Sequence, residues 1–233
     1  MIQSTPQGRN KRAAVAKIAG VLCAVLFAWQ FSRQVLNPAL HIPDSAPLIL
    51  RPVLGFLTAW FFVKRAGESW KNYGLCRPDS IPRSVVWTGA LYALMWLSSA
   101  YVNEPLADWL GFQPKPSFIV YIHGNAVALI GWLAISWIIG GFVEELLFRG
   151  FILTQVSNMF SASWVGVPIG IVSQACLFGL LHLYQGLFGF VYAGITAVIL
   201  GITYVAIGRN LWPLIFAHAL LDSVAMIDIY RGQ

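Results

Sequence analysis

The chain has 233 residues, of which 58% are hydrophobic and 10% charged, whereas a soluble domain is roughly half apolar and about a quarter charged. That balance excludes an ordinary soluble enzyme and places the chain in a bilayer. The formal charge of +6 is no nucleic-acid footprint, because the basic residues sit in loops beside apolar runs, where they orient a membrane protein.

A span needs about 20 mostly apolar residues, and candidates follow in order at roughly 13–31, 46–63, 84–102, 118–139, 164–182, 188–207 and 211–228. Arg9, Lys11, Arg12 and Lys17 flank the first run, which lacks a small-residue cleavage site and reads as an anchor, not a signal peptide. The next polar loop carries Lys64, Arg65, Lys71, Arg77 and Arg83, while the loop near 103–117 sets Glu104 and Asp108 against Lys115. Positively charged short loops stay inside, so the N-terminus and the 64–83 loop are expected in the cytoplasm and the protein in the plasma (inner) membrane. Neither a repeat nor a polar linker divides the chain, and residues 1–233 read as a single all-α domain, a polytopic integral membrane helical bundle.

Several features read as packing. Ala193, Ala197 and Gly201, like Gly166 and Gly170 beside Pro168, recur at four-residue spacing and let helices approach closely. Cys23, Cys76 and Cys176 have no metal or redox spacing and read as small buried hydrophobes. His41 and His123 read as surface residues, Lys17 as snorkelling, and Asp228 as close to the chain's end. Arg51, in "LILRPVL", either snorkels or lines a cavity.

The stretch "GGFVEELLFRG", residues 140–150, is different. A charge within a span costs roughly 2.5 to 3.5 kcal/mol, and Glu144, Glu145, Arg149, His182, His218 and Asp222 all lie in or against apolar sequence. Such residues should face one another. Glu145 and Arg149, at i and i+4, share a face and form a supporting ion pair, while Glu144 points about 100° away. A carboxyl group without that cation, held in a low-dielectric pocket, can take and return a proton near neutral pH. Glu144 is therefore the candidate base. Phe178 with His182, and His218 with Asp222, are also i, i+4 pairs, so three helices present polar groups to one predicted pocket, within a catalytic core at about 140–228.

For Glu144 and His182 to lie in the same cytoplasmic half, the chain is expected to break at Gly140 and Gly141. Residues 142–160 then form a further span, with Arg149 and Gln155 buried in the bundle. That makes about eight transmembrane helices with both termini inside; without the break there are seven.

In order along the chain, EE-x-x-x-R, F-x-x-x-H and H-x-x-x-[ND] resemble the motifs of the CPBP family of intramembrane proteases, whose eukaryotic relative is the CAAX prenyl endopeptidase. The matching residues are Glu144, Glu145 and Arg149, then Phe178 and His182, then His218 and Asp222. The resemblance implies an intramembrane endopeptidase that cleaves a membrane-bound protein or peptide with glutamate-activated water. Glu144 would be the base, His182 its assistant, and the His218/Asp222 pair the oxyanion stabiliser. The prenyl-endopeptidase relatives carry asparagine at the last position, and Asp222 donates no hydrogen bond unless protonated. Asp222 would instead orient His218, or join His182, His218 and Glu144 around zinc. The sequence permits either no cofactor or zinc, and the absence of H-E-x-x-H leans toward a metal-independent reaction.

Other readings have less to stand on. There is no G-x-S-G or G-x-G-D for serine or aspartyl intramembrane proteases. A transporter with a proton relay would more often show inverted repeats. A non-catalytic scaffold or immunity protein of the same fold would not need the intact motifs.

Overall fold

The computed structural model describes residues 6–36, 46–111, 119–160 and 162–232, and among these every regular element is helical. Helix α1, Pro6–Phe31, starts on a proline whose fixed φ suits a first turn and runs into a π turn at Ser32–Leu36. Helix α2, Ala46–Arg65, returns antiparallel beside it. Helix α3 begins at Ile81, where the Ser80 hydroxyl accepts from the Arg83 N–H, and continues through a π turn at Ser99–Asn103 to Trp109. A short helix α4, Ile119–Ile122, precedes α5, Ala126–Ser157, which Asn125 caps by accepting from Ala128 N–H. Then follow α6, Ser163–Leu181, α7, Gly186–Ala206, and α8, Trp212–Arg231.

Six helices among the described residues are long and apolar enough to cross a membrane, and α2, with 20 residues, is the seventh long helix. The protein is a multi-pass helical bundle, and these seven long helices among the described residues fit the seven to eight expected. The expected break at Gly140 and Gly141 is not seen, and α5 continues through both. It runs unbroken for 32 residues, through π-helical stretches at Ser136–Glu144 and Leu146–Leu153, well beyond the roughly 30 Å of a hydrocarbon core. The glycines make room instead. A Cβ at Gly140 would lie 2.5 Å from Asp222 Oδ2, and one at Gly141 2.8 Å from both Ala219 Cβ and the Ile215 carbonyl oxygen, so the missing side chains let α8 lie against α5.

One further expectation changes with the break. The start of α1 and the end of α8 lie at opposite ends of the bundle. Lys17 of α1 meets Glu68 at one end, at 2.9 Å, while Gly124 N–H donates to the Tyr230 carbonyl at the other, at 3.1 Å. Helix α6 pairs only with the C-terminal half of α5: Gly166 packs on Ser157, Gly170 on Leu153 and Ser157, and Phe178 on Phe148. This pairing brings His182, at the end of α6, level with Glu144 in the middle of α5. Both lie in the interior of the bundle, Glu144 between the end of α5 that packs on Tyr73 of the basic segment through Gly150 and Gln155 and the opposite end at Ala126.

The core is α5 itself, buried at every residue from Glu145 to Ser157, including Arg149 and Gln155. The small residues of α7 pack as expected: Gly201 adjoins Gln174, whose amide donates to the Ala197 carbonyl at 2.8 Å. Cys23 and Cys176 are exposed on the outer surface and Cys76 is half-buried, so the cysteines are not the buried hydrophobes expected of them. His123 is exposed, and His41 lies outside the described residues.

At the basic end the segment between α2 and α3 folds back onto the bundle. Trp70 and Tyr73 are buried in a turn of 3-10 helix, Gln155 donates to the Tyr73 hydroxyl at 2.7 Å, and that hydroxyl donates to Glu68. Burial first, then the Glu68 carboxylate, push the Tyr73 hydroxyl far above its ordinary titration range. Gly74, at φ +89°, has no room for a Cβ, which would meet the Arg209 carbonyl at 2.5 Å, and its own carbonyl accepts from Leu211 N–H at 3.0 Å.

Candidate active site

The two adjacent glutamates of α5 have opposite surroundings. Glu145 is fully buried; its Oε1 accepts from Arg149 Nη1 at 2.9 Å and lies 2.8 Å from His218 Nδ1 of α8. Glu144 makes neither contact. One position earlier on α5, it lines a cavity of about 150 Å³ together with Arg51, Gly140, His182, Tyr184 and Asp222.

Phe178 joins the three helices. Its ring lies 4.9 Å from Phe148 and 4.6 Å from His182 between centroids, and the Arg149 guanidinium sits over its face at 4.7 Å. A buried arginine with one carboxylate partner gains further from an aromatic face. The aromatic face and the carboxylate together hold a cation inside the bundle. His182 closes α6, and its Nδ1 lies 2.8 Å from the Phe178 carbonyl, which fixes the ring by the i, i+4 spacing seen in the sequence. When Nδ1 carries the proton it donates to that carbonyl, leaving Nε2 as the acceptor.

The third motif departs from expectation. His218 is buried and does not line the cavity, whereas Asp222, one turn later, does. The separation between His218 Nε2 and Asp222 Oδ1 is 3.8 Å, beyond hydrogen-bond range. The partner that orients His218 is thus Glu145, not Asp222. Nor do Glu144, His182, His218 and Asp222 form the zinc set considered from sequence: among the described residues no three His, Cys, Asp or Glu side chains gather closely enough to hold a metal ion.

Residues 126–224 match the family model described as type II CAAX prenyl endopeptidase, Rce1-like. Over this segment the chain is similar to that family. No curated protein and no solved structure matches the chain. The family segment contains all seven motif residues, from Glu144 to Asp222, and leaves α1 to α3 outside.

Tyr184 and Arg51 are among the cavity residues that the motif reading did not include. Tyr184 follows His182 in the turn between α6 and α7. Arg51 reaches the cavity from α2, outside the family segment. Its position inside an apolar run was the only signal, and that position fits snorkelling equally well. The contact between Glu145 and His218 joins residues 73 apart, and nothing in the spacing within each motif announces it.

Proposed function

We propose that the protein is an intramembrane endopeptidase of a single domain, residues 1–233 with a catalytic core at about 140–228, that hydrolyses a peptide bond of a membrane-associated protein or peptide. The observation that carries this is the division of labour between neighbouring carboxylates. Glu145 is committed to Arg149 and His218, while Glu144 faces a cavity beside His182.

Glu144 takes a proton from water, and the water oxygen forms a bond to the carbonyl carbon as the carbonyl π pair moves onto its oxygen. Collapse of that intermediate re-forms C=O and breaks the C–N bond, and Glu144 returns the proton to the leaving nitrogen. His182, fixed through Nδ1, assists with Nε2 directed at the same water. The oxyanion role that the resemblance gives to His218 and Asp222 finds only Asp222 at the cavity wall, and an ionised carboxylate cannot donate a hydrogen bond. His218 is then a positioning residue, held by Glu145 and lying behind Asp222.

The basic end, with the N-terminus and the 64–83 loop, faces the cytoplasm of a plasma (inner) membrane by the positive-inside rule. The partners this reading requires are a membrane-bound substrate and the bilayer, not nucleic acid.

The test is cleavage of a quenched fluorescent membrane-peptide library by detergent-purified protein. Wild type is expected to cleave. Glu144→Gln and His182→Ala are expected to lose at least about a hundredfold in rate, the usual share of a general acid or base, with unchanged melting temperature. Wild type with a zinc chelator is expected to keep its activity, the four candidate ligands not being gathered as a set. Full turnover by Glu144→Gln would end this reading, and loss with chelator reversed by zinc would replace the metal-independent mechanism.

A further inference from the structure

Arg51 is the sixth residue of α2 and 9% exposed. It donates to the Leu181 carbonyl at 3.3 Å, the residue before His182. Its guanidinium also lies 5.7 Å over the ring of Tyr184, two residues after His182. The charge is therefore fixed to the His182 turn from both sides and lines the cavity that holds Glu144. It does not snorkel to a membrane surface. A cation kept within a span costs roughly 2.5 to 3.5 kcal/mol on insertion scales, and a leucine would pack α2 against α6 without that cost.

The reaction itself makes an anion here. When the water oxygen adds to the carbonyl carbon, negative charge collects on the former carbonyl oxygen, and the motif residues offer it little. Asp222 is an acceptor when ionised, and His218 stands off the cavity. Preorganised donors in a water-poor site are worth most where charge develops, because nothing has to reorient at the moment of reaction.

We propose that Arg51 is a catalytic residue of this hydrolysis, its guanidinium N–H groups stabilising the oxyanion of the tetrahedral intermediate. This rests on the endopeptidase reading of the site. Electron and proton balance are unchanged: Arg51 keeps its protons throughout, and the shuttled proton remains on Glu144 until the C–N bond breaks.

The experiment separates transition-state from ground-state contacts. For the best-cleaved library peptide, kcat and KM are measured in wild type, Arg51→Gln and Arg51→Lys. Binding of a phosphonate analogue of that peptide, tetrahedral and anionic at the scissile position, is measured in the same proteins. Binding of the uncleaved peptide is measured in the Glu144→Gln background. Arg51→Gln is expected to lower kcat about a hundredfold, the cost of one oxyanion donor, with KM unchanged. Phosphonate affinity should fall by a similar factor while affinity for the uncleaved peptide holds. Arg51→Lys, which keeps the charge, should fall between.

Unchanged kcat in Arg51→Gln would overturn the proposal. So would an equal loss of affinity for phosphonate and uncleaved peptide, which would make Arg51 a substrate-binding residue, for instance for a terminal carboxylate. Either result, with turnover still dependent on Glu144, leaves the endopeptidase reading standing. Turnover that survives Glu144→Gln removes that reading instead.

Discussion

Glu145 Oε1 lies 2.9 Å from Arg149 Nη1 and 2.8 Å from His218 Nδ1, so one oxygen of one buried carboxylate holds a cation on its own helix and a histidine on another. Its second oxygen has no hydrogen-bond partner among the described residues. All the structural value of Glu145 therefore passes through Oε1.

Removing that charge strands Arg149, which is fully buried. Breaking a buried pair by neutralising one partner costs about 3 to 5 kcal/mol. Glu145→Gln is expected to lower the melting temperature in detergent sharply. Glu145→Gln with Arg149→Met should recover part of the loss, because no uncompensated charge remains. Additive losses in the double variant would show that the two residues do not act as a pair.

The glycines of α5 give a second measurement. Gly141→Ala drives a methyl group against Ala219 and the Ile215 carbonyl, a backbone neighbour that cannot yield cheaply. Overpacking of that kind costs about 1 to 3 kcal/mol. Gly89 of α3 has nothing within 4 Å of a built Cβ, and Gly89→Ala should gain about 0.5 to 1 kcal/mol from helix propensity. If Gly141→Ala melted like wild type, the pair would be a flexible break after all and not a packing surface.

Orientation is checked by labelling. With Cys23, Cys76 and Cys176 replaced by serine, a cysteine at exposed Lys71 and another at exposed Asp108 report opposite ends of α3 and its flanking segments. In intact cells a membrane-impermeant maleimide is expected to react at 108 and to reach 71 only after permeabilisation. The reverse pattern would turn the molecule over and put the basic end outside.

What could be read in the sequence was local. The pairs Glu145 and Arg149, and Phe178 and His182, meet in the structure as their four-residue spacing requires, because helical geometry alone brings such residues to one face. His218 and Asp222 share a face but not a hydrogen bond: Glu145 on another helix meets Nδ1, while Nε2 stays 3.8 Å from Asp222. Gly140 and Gly141 read as a break because glycine weakens an isolated helix, yet a neighbouring helix lying across them turns the same residues into contact surface. The cysteines were misplaced for a related reason: in a bilayer an apolar residue is as well placed facing lipid as facing protein. Arg51 belongs to the cavity through tertiary contacts with Leu181 and Tyr184, both more than 100 residues away.

At the basic end the Tyr73 turn joins three pieces of chain: α1 through Lys17 and Glu68, α5 through Gln155, and the start of α8 through Leu211 and Gly74. It does the work of a cross-link, and does it without sulfur, the three cysteines being free. The staple therefore holds at any redox potential. It also anchors the tail of α5, so the helix that carries Glu144 is moored at the end farthest from the cavity.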